Sequence, residues 1–277
     1  MIIIDKPDFE RALPVGMAAN EDVFASVYPA IEDAMNNYYE ILLGDIGAQA
    51  VESADDDAPL KRHFKALVCV AGFSSVARQL DLVLTPTGFG VVNTDTVSPA
   101  SKQRVDALIG QLLTERSKAR AMVAHLLRAD EWGATQQAVR AIRYLYTDHY
   151  FFFGNEDNSH TAQDWVAHMA AVTDTDEQVR LRFGDEQVDD MLDAYRRNDR
   201  DRLRGYAGAL QMICDLTDKW AVMGRKAVET PQYRRLVREM EGDNNIFALY
   251  HGSEAYKAAH IENFKNNKES SAYLFNG

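Results

Sequence analysis

Leu203, Tyr206, Leu210, Ile213, Thr217, Trp220 and Gly224 fall alternately three and four residues apart. Only an α-helix brings all seven to one side, and the alternation is that of a bundle seam. It predicts a long helix over residues 201–228. A second long helix is expected over residues 99–128, with Val105, Leu108, Leu112, Ala119, Met122, Val123 and Leu126 on its inner side. At ~1.5 Å per residue it would reach on the order of 45 Å. Earlier in the chain, Asn20 reads as an N-cap, and Phe24, Val27, Ile31, Met35, Tyr38 and Leu42 recur at helical spacing. Pro29 should split that helix in two, and Gly44 and Gly47 should end it. Residues 59–81 form another helical stretch. Between Phe64 and Phe73 its apolar residues lie almost all round, the mark of a central, buried helix.

Residues 82–104 break this rhythm. Two short runs, 82–85 and 89–92, are rich in β-branched and aromatic residues, and Pro86-Thr87-Gly88 between them suits a three-residue hairpin loop. Ser98 then reads as an N-cap, with Pro99 at the first helical position. Past residue 128, Trp132-Gly133 should interrupt the chain before a helix bearing Val139, Ile142 and Tyr146. Residues 150–154, YFFFG, read as core packing in a strand or an anchoring loop. Thr161 and Asp164 form a capping-box-like start to a helix with Trp165, Met169 and Val172 on one face. Residues 173–178 read as a polar loop. Val188, Met191, Leu192 and Tyr195 make the apolar face of the next helix, with Asp185, Asp189 and Asp193 as a solvated acidic face. Thr230-Pro231 should start a charged helix, with short helices over 244–250 and 253–264. The class is mainly α: a multi-helix bundle with two long helices and a small β-hairpin insertion. It divides into 1–128, a helical region 129–265 packed with it, and a flexible tail 266–277.

The net charge is −12, and the basic residues are mostly interleaved with acids, which argues against sequence-specific nucleic-acid binding. No run approaches the roughly 18 apolar residues of a membrane span, so no membrane partner is expected. The isoleucines at the start lack the basic region and cleavage site of a signal peptide. Cys69 and Cys214 sit inside apolar helical patterns and read as buried free thiols. The P-loop, nucleophile-elbow, HExxH and CxxC signatures are missing. His149, Asp157, His160 and His168 gather within twenty residues with Glu156 between, a set that could bind zinc or move protons. Their spacing matches no ligand motif. No catalytic, cofactor-binding or metal-binding residue is assigned, and no cofactor is expected.

Residues 20–128 resemble an uncharacterised helical family of Bacteroidales bacteria and their prophages. The matching pattern is the buried helix FKALVCVAGFSSVARQLDL, the hairpin with Thr85-Pro86-Thr87-Gly88, the turn NTDTVSP and the helix opening at Ala100-Ser101-Lys102. Genes of that family sit among phage head and tail genes. The resemblance therefore implies a virion structural protein, a head–tail connector or adaptor subunit, cytoplasmic until assembled. Its partners would be other virion proteins or copies of itself. Phe89 and Val91 in the hairpin, and Tyr273, Leu274 and Phe275 in the tail, are the expected partner-binding residues. A cytosolic helical binding or regulatory module is the alternative reading, and an enzyme with an unrecognised site the third.

Overall fold

A computed structural model describes residues 1–13, 21–79, 82–85, 88–91, 101–154 and 159–260; at 21, 22, 82–85 and 88–91 the description is of the backbone. The protein is mainly helical. Helix α1 (Lys6–Ala12) starts at a reciprocal capping box, in which Asp5 accepts from the Asp8 amide and Asp8 from the Asp5 amide. Asp8 also takes the Lys65 ammonium at 2.7 Å, which ties α1 to α4 (Pro59–Val76). As the all-round apolar pattern requires, α4 is central. Phe64 and the run from Leu67 to Phe73 are buried among α1, α2 (Glu21–Tyr38) and α5 (Lys102–Leu126). Gly72 is needed at its tightest crossing: a Cβ there would lie 2.7 Å from the backbone N and Cα of Ile31.

Several expectations for this half are corrected. Pro29 does not split α2, which runs through it unbroken. Pro29 and Ala25 are exposed, so the carbonyl that loses its amide donor meets water, while buried Val27 and Ile31 hold the helix on either side. Gly44 and Gly47 do not end the helical run. A π-turn over Tyr39–Leu43 leads directly into α3 (Gly44–Ser53). Gly44 takes φ +58° at the junction, and Gly47 lies inside α3 against the Trp132 indole. Two four-residue strands, β1 (Leu82–Thr85) and β2 (Gly88–Val91), pair antiparallel with Leu82 opposite Val91 and Thr85 opposite Gly88. That register leaves two residues between the strands, not three, and places Gly88 in the second strand. Ser98 and Pro99 lie outside the described residues. The cap of α5 is Ser101, whose hydroxyl accepts from the Arg104 amide. Within α5, Leu112, Ala119 and Val123 are buried as expected, while Leu126 is exposed and Leu127 is buried in its place.

Short helices α6 (Asp130–Gly133), α7 (Gln136–Ala141) and α8 (Asp148–Phe153) follow. Residues 150–153 are therefore helical rather than strand or loop, started by the Thr147 hydroxyl accepting from the Tyr150 amide, and Phe151 and Phe152 are buried. Tyr146 is buried but lies outside α7, and Val139 is exposed. Helix α9 (Ala162–Phe183) begins at the Thr161–Asp164 capping box. It continues through residues 173–178, where a loop is expected from their polarity. Thr173 bonds back to the Met169 carbonyl, and Asp176 pairs with Arg180 one turn on, so polar side chains sit on a helix without disrupting it. Helix α10 (Asp185–Arg197) buries Val188, Met191 and Leu192. Helix α11 (Arg200–Met223), capped by Asp199, buries Tyr206, Ile213, Thr217 and Trp220 of the predicted seam. It stops at Gly224, φ +58°, and a 3₁₀ turn (Gly224–Glu229) continues to α12 (Pro231–Gly242), α13 (Ala248–Gly252) and α14 (Glu254–Ala259).

Among the described residues the buried side chains form three clusters. One joins α1–α5 to Trp132, Ala138 and Ile142; a second joins α9–α13; a small aromatic third holds Tyr146, Phe151, Phe152 and Cys214. The join between the first two is made by backbone as well as side chain. Gly133 lies so close to α10 that a Cβ would be 2.6 Å from the carbonyl carbon of Arg196. Arg196 Nε donates to the Ile142 carbonyl at 2.9 Å, and the Arg128 guanidinium stacks 4.1 Å over the Tyr195 ring.

Candidate interaction surface

The histidine set singled out in the sequence is not gathered at one point. His149 stacks on His125, with ring centroids 3.6 Å apart. His160 and His168 both pack against the Phe151 ring, and His168 also faces Tyr146. Glu156 and Asp157 are outside the described residues. His168 Nε2 stands 3.5 Å from Asp218 Oδ1, and that same oxygen accepts the Tyr146 hydroxyl at 2.5 Å. Burial, reinforced by the Asp218 carboxylate, pushes the Tyr146 phenol up. Burial, with Arg128 adding to it, holds His149 down at about 4 and His125 at about 3, so both rings are neutral near pH 7. Both thiols are buried: that of Cys69 is pushed up to about 12 and that of Cys214 also rises, so neither is a thiolate near neutrality. Among the described residues no group of three or more His, Cys, Asp or Glu is placed to hold a metal ion.

Of the α10 carboxylates, Asp185 and Asp189 are exposed, as the sequence reading has them, and Asp193 is half-buried, but all three are also held by arginines. Arg180 holds Asp176, Asp185 and Asp189 within 3.2 Å, and Arg197 holds Asp193 and Asp130. Arg202, presented by the first turn of α11, holds Asp190, Asp193 and Asp199, each within 2.9 Å. Arg182 holds Glu241 at 2.6 Å. These arginines come from α9, α11 and the end of α10, so only the packed structure shows that the acidic stripe is spoken for. The residues 55–57 are exposed, as their composition suggests, with Asp56 paired to Lys61.

The surface beyond α11 is different. The 3₁₀ turn and α12 border a groove of about 610 Å³ lined by Val228, Pro231, Tyr233, Arg234, Val237 and Arg238. A second hollow of about 380 Å³ includes Leu181, Trp220 and Arg225. Leu181 is 73% exposed, and at the end of α11 Val222 is 88% exposed and Met223 43%. The groove follows from local sequence: Gly224 ends α11 by its positive φ, and Thr230-Pro231 restart a helix six residues on, with the Thr230 hydroxyl accepting from the Tyr233 amide. Periodicity missed it because Val228 and Val237 lie in different elements. Of the expected partner-binding residues, Phe89 pairs across the ribbon with Leu84 and Val91 with Leu82. Tyr273, Leu274 and Phe275 lie outside the described residues.

In class, then, this is a mainly helical protein with an apolar-floored groove beside α12, and among the described residues no helix is long and apolar enough to cross a membrane. Residues 28–142 match the model of a family of unknown function (DUF6712), the stretch from α2 to the end of the first core cluster. No curated protein and no solved structure matches the chain.

Proposed function

We propose that this protein is a virion structural protein of a phage or prophage, a head–tail connector or adaptor subunit that acts by protein–protein contacts in the cytoplasm and then in the particle. The resemblance to a helical family of Bacteroidales bacteria and their prophages is part of the proposal. The observation behind the contact reading is the exposed apolar surface of Leu181, Val222, Met223 and the α12 groove, which a solitary chain has no reason to display. The β1–β2 ribbon, as a small hairpin insertion, adds a second contact element: each strand has one edge free of the other, and Phe89 and Val91 lie on one of them. A ring of such subunits needs a heterologous contact, one surface on each copy meeting a different one on the next. A subunit of net charge −12 would let DNA slide past rather than grip it.

The test is a nonsense codon at Trp132 in the genome that encodes the chain, followed by electron microscopy of the particles. Filled or emptied heads lacking tails are expected, restored by supplying the wild-type gene. Normal tailed particles without the protein would refute the reading.

A further inference from the structure

We propose that the groove between the 3₁₀ turn and α12 receives an acidic segment of a partner protein, anchored by apolar side chains. The inference rests on reading that groove as an interaction surface and adds the chemistry of what fills it.

Cations on α9–α11 and those on the 3₁₀ turn and α12 are paired differently. On α9–α11, Arg180, Arg182, Arg197 and Arg202 each hold a carboxylate within 2.9 Å. Arg234 and Arg238, which line the groove, Arg225, which lines the second hollow, and Lys226 and Arg235 on the same two elements are all exposed, and none forms an ion pair among the described residues. Arg234 and Arg238 donate only to backbone carbonyls, those of Glu229 and Arg234. The 3₁₀ turn and α12, residues 224–242, thus carry five cations and three carboxylates, Glu229, Glu239 and Glu241, the last of them held by Arg182, in a chain where acids outnumber bases 42 to 30. A shortage of acids does not explain this, since the surplus lies elsewhere on the surface.

Val228, Pro231, Tyr233 and Val237 supply an apolar floor, and the volume is in the range of roughly 300–1,000 Å³ typical of ligand clefts. The floor provides the burial that gives affinity, and the cationic rim selects the sign of the partner and speeds its arrival. Nucleic acid fits less well. Its backbone needs hydrogen-bond donors along the whole track, whereas valine and proline line this one, and the net charge of the chain repels a long polyanion.

The experiment uses the full chain and fluorescence anisotropy. The probe is an amphipathic peptide of roughly 15 residues, leucines three and four apart with glutamates opposite, long enough to become helical on binding. Comparison probes carry glutamine or lysine in place of glutamate, and an oligothymidylate of similar length stands for nucleic acid. The glutamate peptide should bind about tenfold more tightly than the glutamine peptide at low salt, an advantage that shrinks severalfold as salt screens the rim. Val237→Asp should abolish its binding, and the exposed pair Arg234→Glu with Arg238→Glu should transfer the preference to the lysine peptide. Thermal melts matching wild type certify that both variants fold. Equal binding of the glutamate and glutamine peptides would overturn the acidic chemistry while leaving the groove an interaction surface. Tighter binding of oligothymidylate, no binding of any peptide, or binding that survives Val237→Asp would each overturn the proposal.

Discussion

Replacing Gly72 by alanine sets two effects of opposite sign against each other. Gly72 lies in the interior of α4, where alanine is favoured over glycine by roughly 1 kcal/mol of helix propensity. Propensity alone therefore predicts a more stable protein. Packing predicts the reverse, because the new Cβ would stand 2.7 Å from Ile31 N and Cα and 2.8 Å from its Cγ1, closer than real Cβ atoms come to anything. Two of those three atoms are backbone and cannot rotate aside, so α2 and α4 must part along their shared, fully buried seam. Overpacking typically costs about 1–3 kcal/mol, and a clash with backbone belongs at the upper end. The net loss is then about 2 kcal/mol, which at roughly 2–4 °C per kcal/mol lowers Tm by about 4–8 °C. Gly110→Ala is the matched control: it too is helical, on α5, but its Cβ would meet nothing within 4 Å. That variant should gain about 0.5–1 kcal/mol. Thermal melts followed by circular dichroism at the helix band read both. If Gly72→Ala melts at or above wild type, the two helices are not held at the distance described and the steric reasoning fails.

Three further outcomes are expected. Because burial holds His149 down at about 4 and His125 at about 3, against ~6.5 in the unfolded chain, the unfolded state takes up protons first as pH falls. Stability should therefore decline from about pH 6.5 downward; His149→Phe, which keeps a ring on His125, should make that decline shallower above pH 4, and parallel urea-midpoint curves would contradict it. Arg202→Ala leaves Asp190 and Asp199 without their cation, so stability should fall by about 1 kcal/mol, and by less at high salt; an effect that salt leaves unchanged would point to packing instead. Trp132→Phe removes the Nε1–H bond to the Leu42 carbonyl, 3.3 Å, from a buried site, and should cost about 1–3 kcal/mol as a shifted urea midpoint at constant slope.

What could be read from the chain was mostly what is decided within one or two turns. The Thr161–Asp164 capping box, the Thr230-Pro231 start of α12, the buried stretch of α4 and the apolar face of α10 all depend on residues a few positions apart, and all are found. What was missed depends on partners far along the chain. Polarity at 173–178 looks like a loop until Asp176 meets Arg180 and Trp220 Nε1 reaches Asp174 from α11. Asp193 looks solvated until Arg202 arrives from the next helix. Pro29 looks like a break until it and Ala25, whose carbonyl loses its donor, are both found exposed. The groove escaped for the same reason: the apolar residues that line it come from two elements, and nothing in their spacing announces that a 3₁₀ turn and α12 stand side by side.

The match to the family of unknown function ends at residue 142, and the first core cluster ends at the same residue, Ile142. Yet this region does not finish its own surface. The carbonyl of Ile142 is met by Arg196, the backbone of Gly133 by that of Arg196 and Arg197, and the Arg128 guanidinium by the Tyr195 ring, all from the last turns of α10. Arg128 has no carboxylate among its described contacts; besides the ring, it donates only to the His125 carbonyl and contacts the His125 ring nitrogen. A half-buried cation held in this way depends on the aromatic face supplied by α10. That helix in turn is fixed by Arg180 and Arg202 from its neighbours, through the same carboxylates that looked idle in the sequence. The ion-pair ladder therefore positions the face of α10 that closes over the family-like region. The cations of the α12 rim form no such ion pair among the described residues, and they are the ones that the proposed acidic segment would meet.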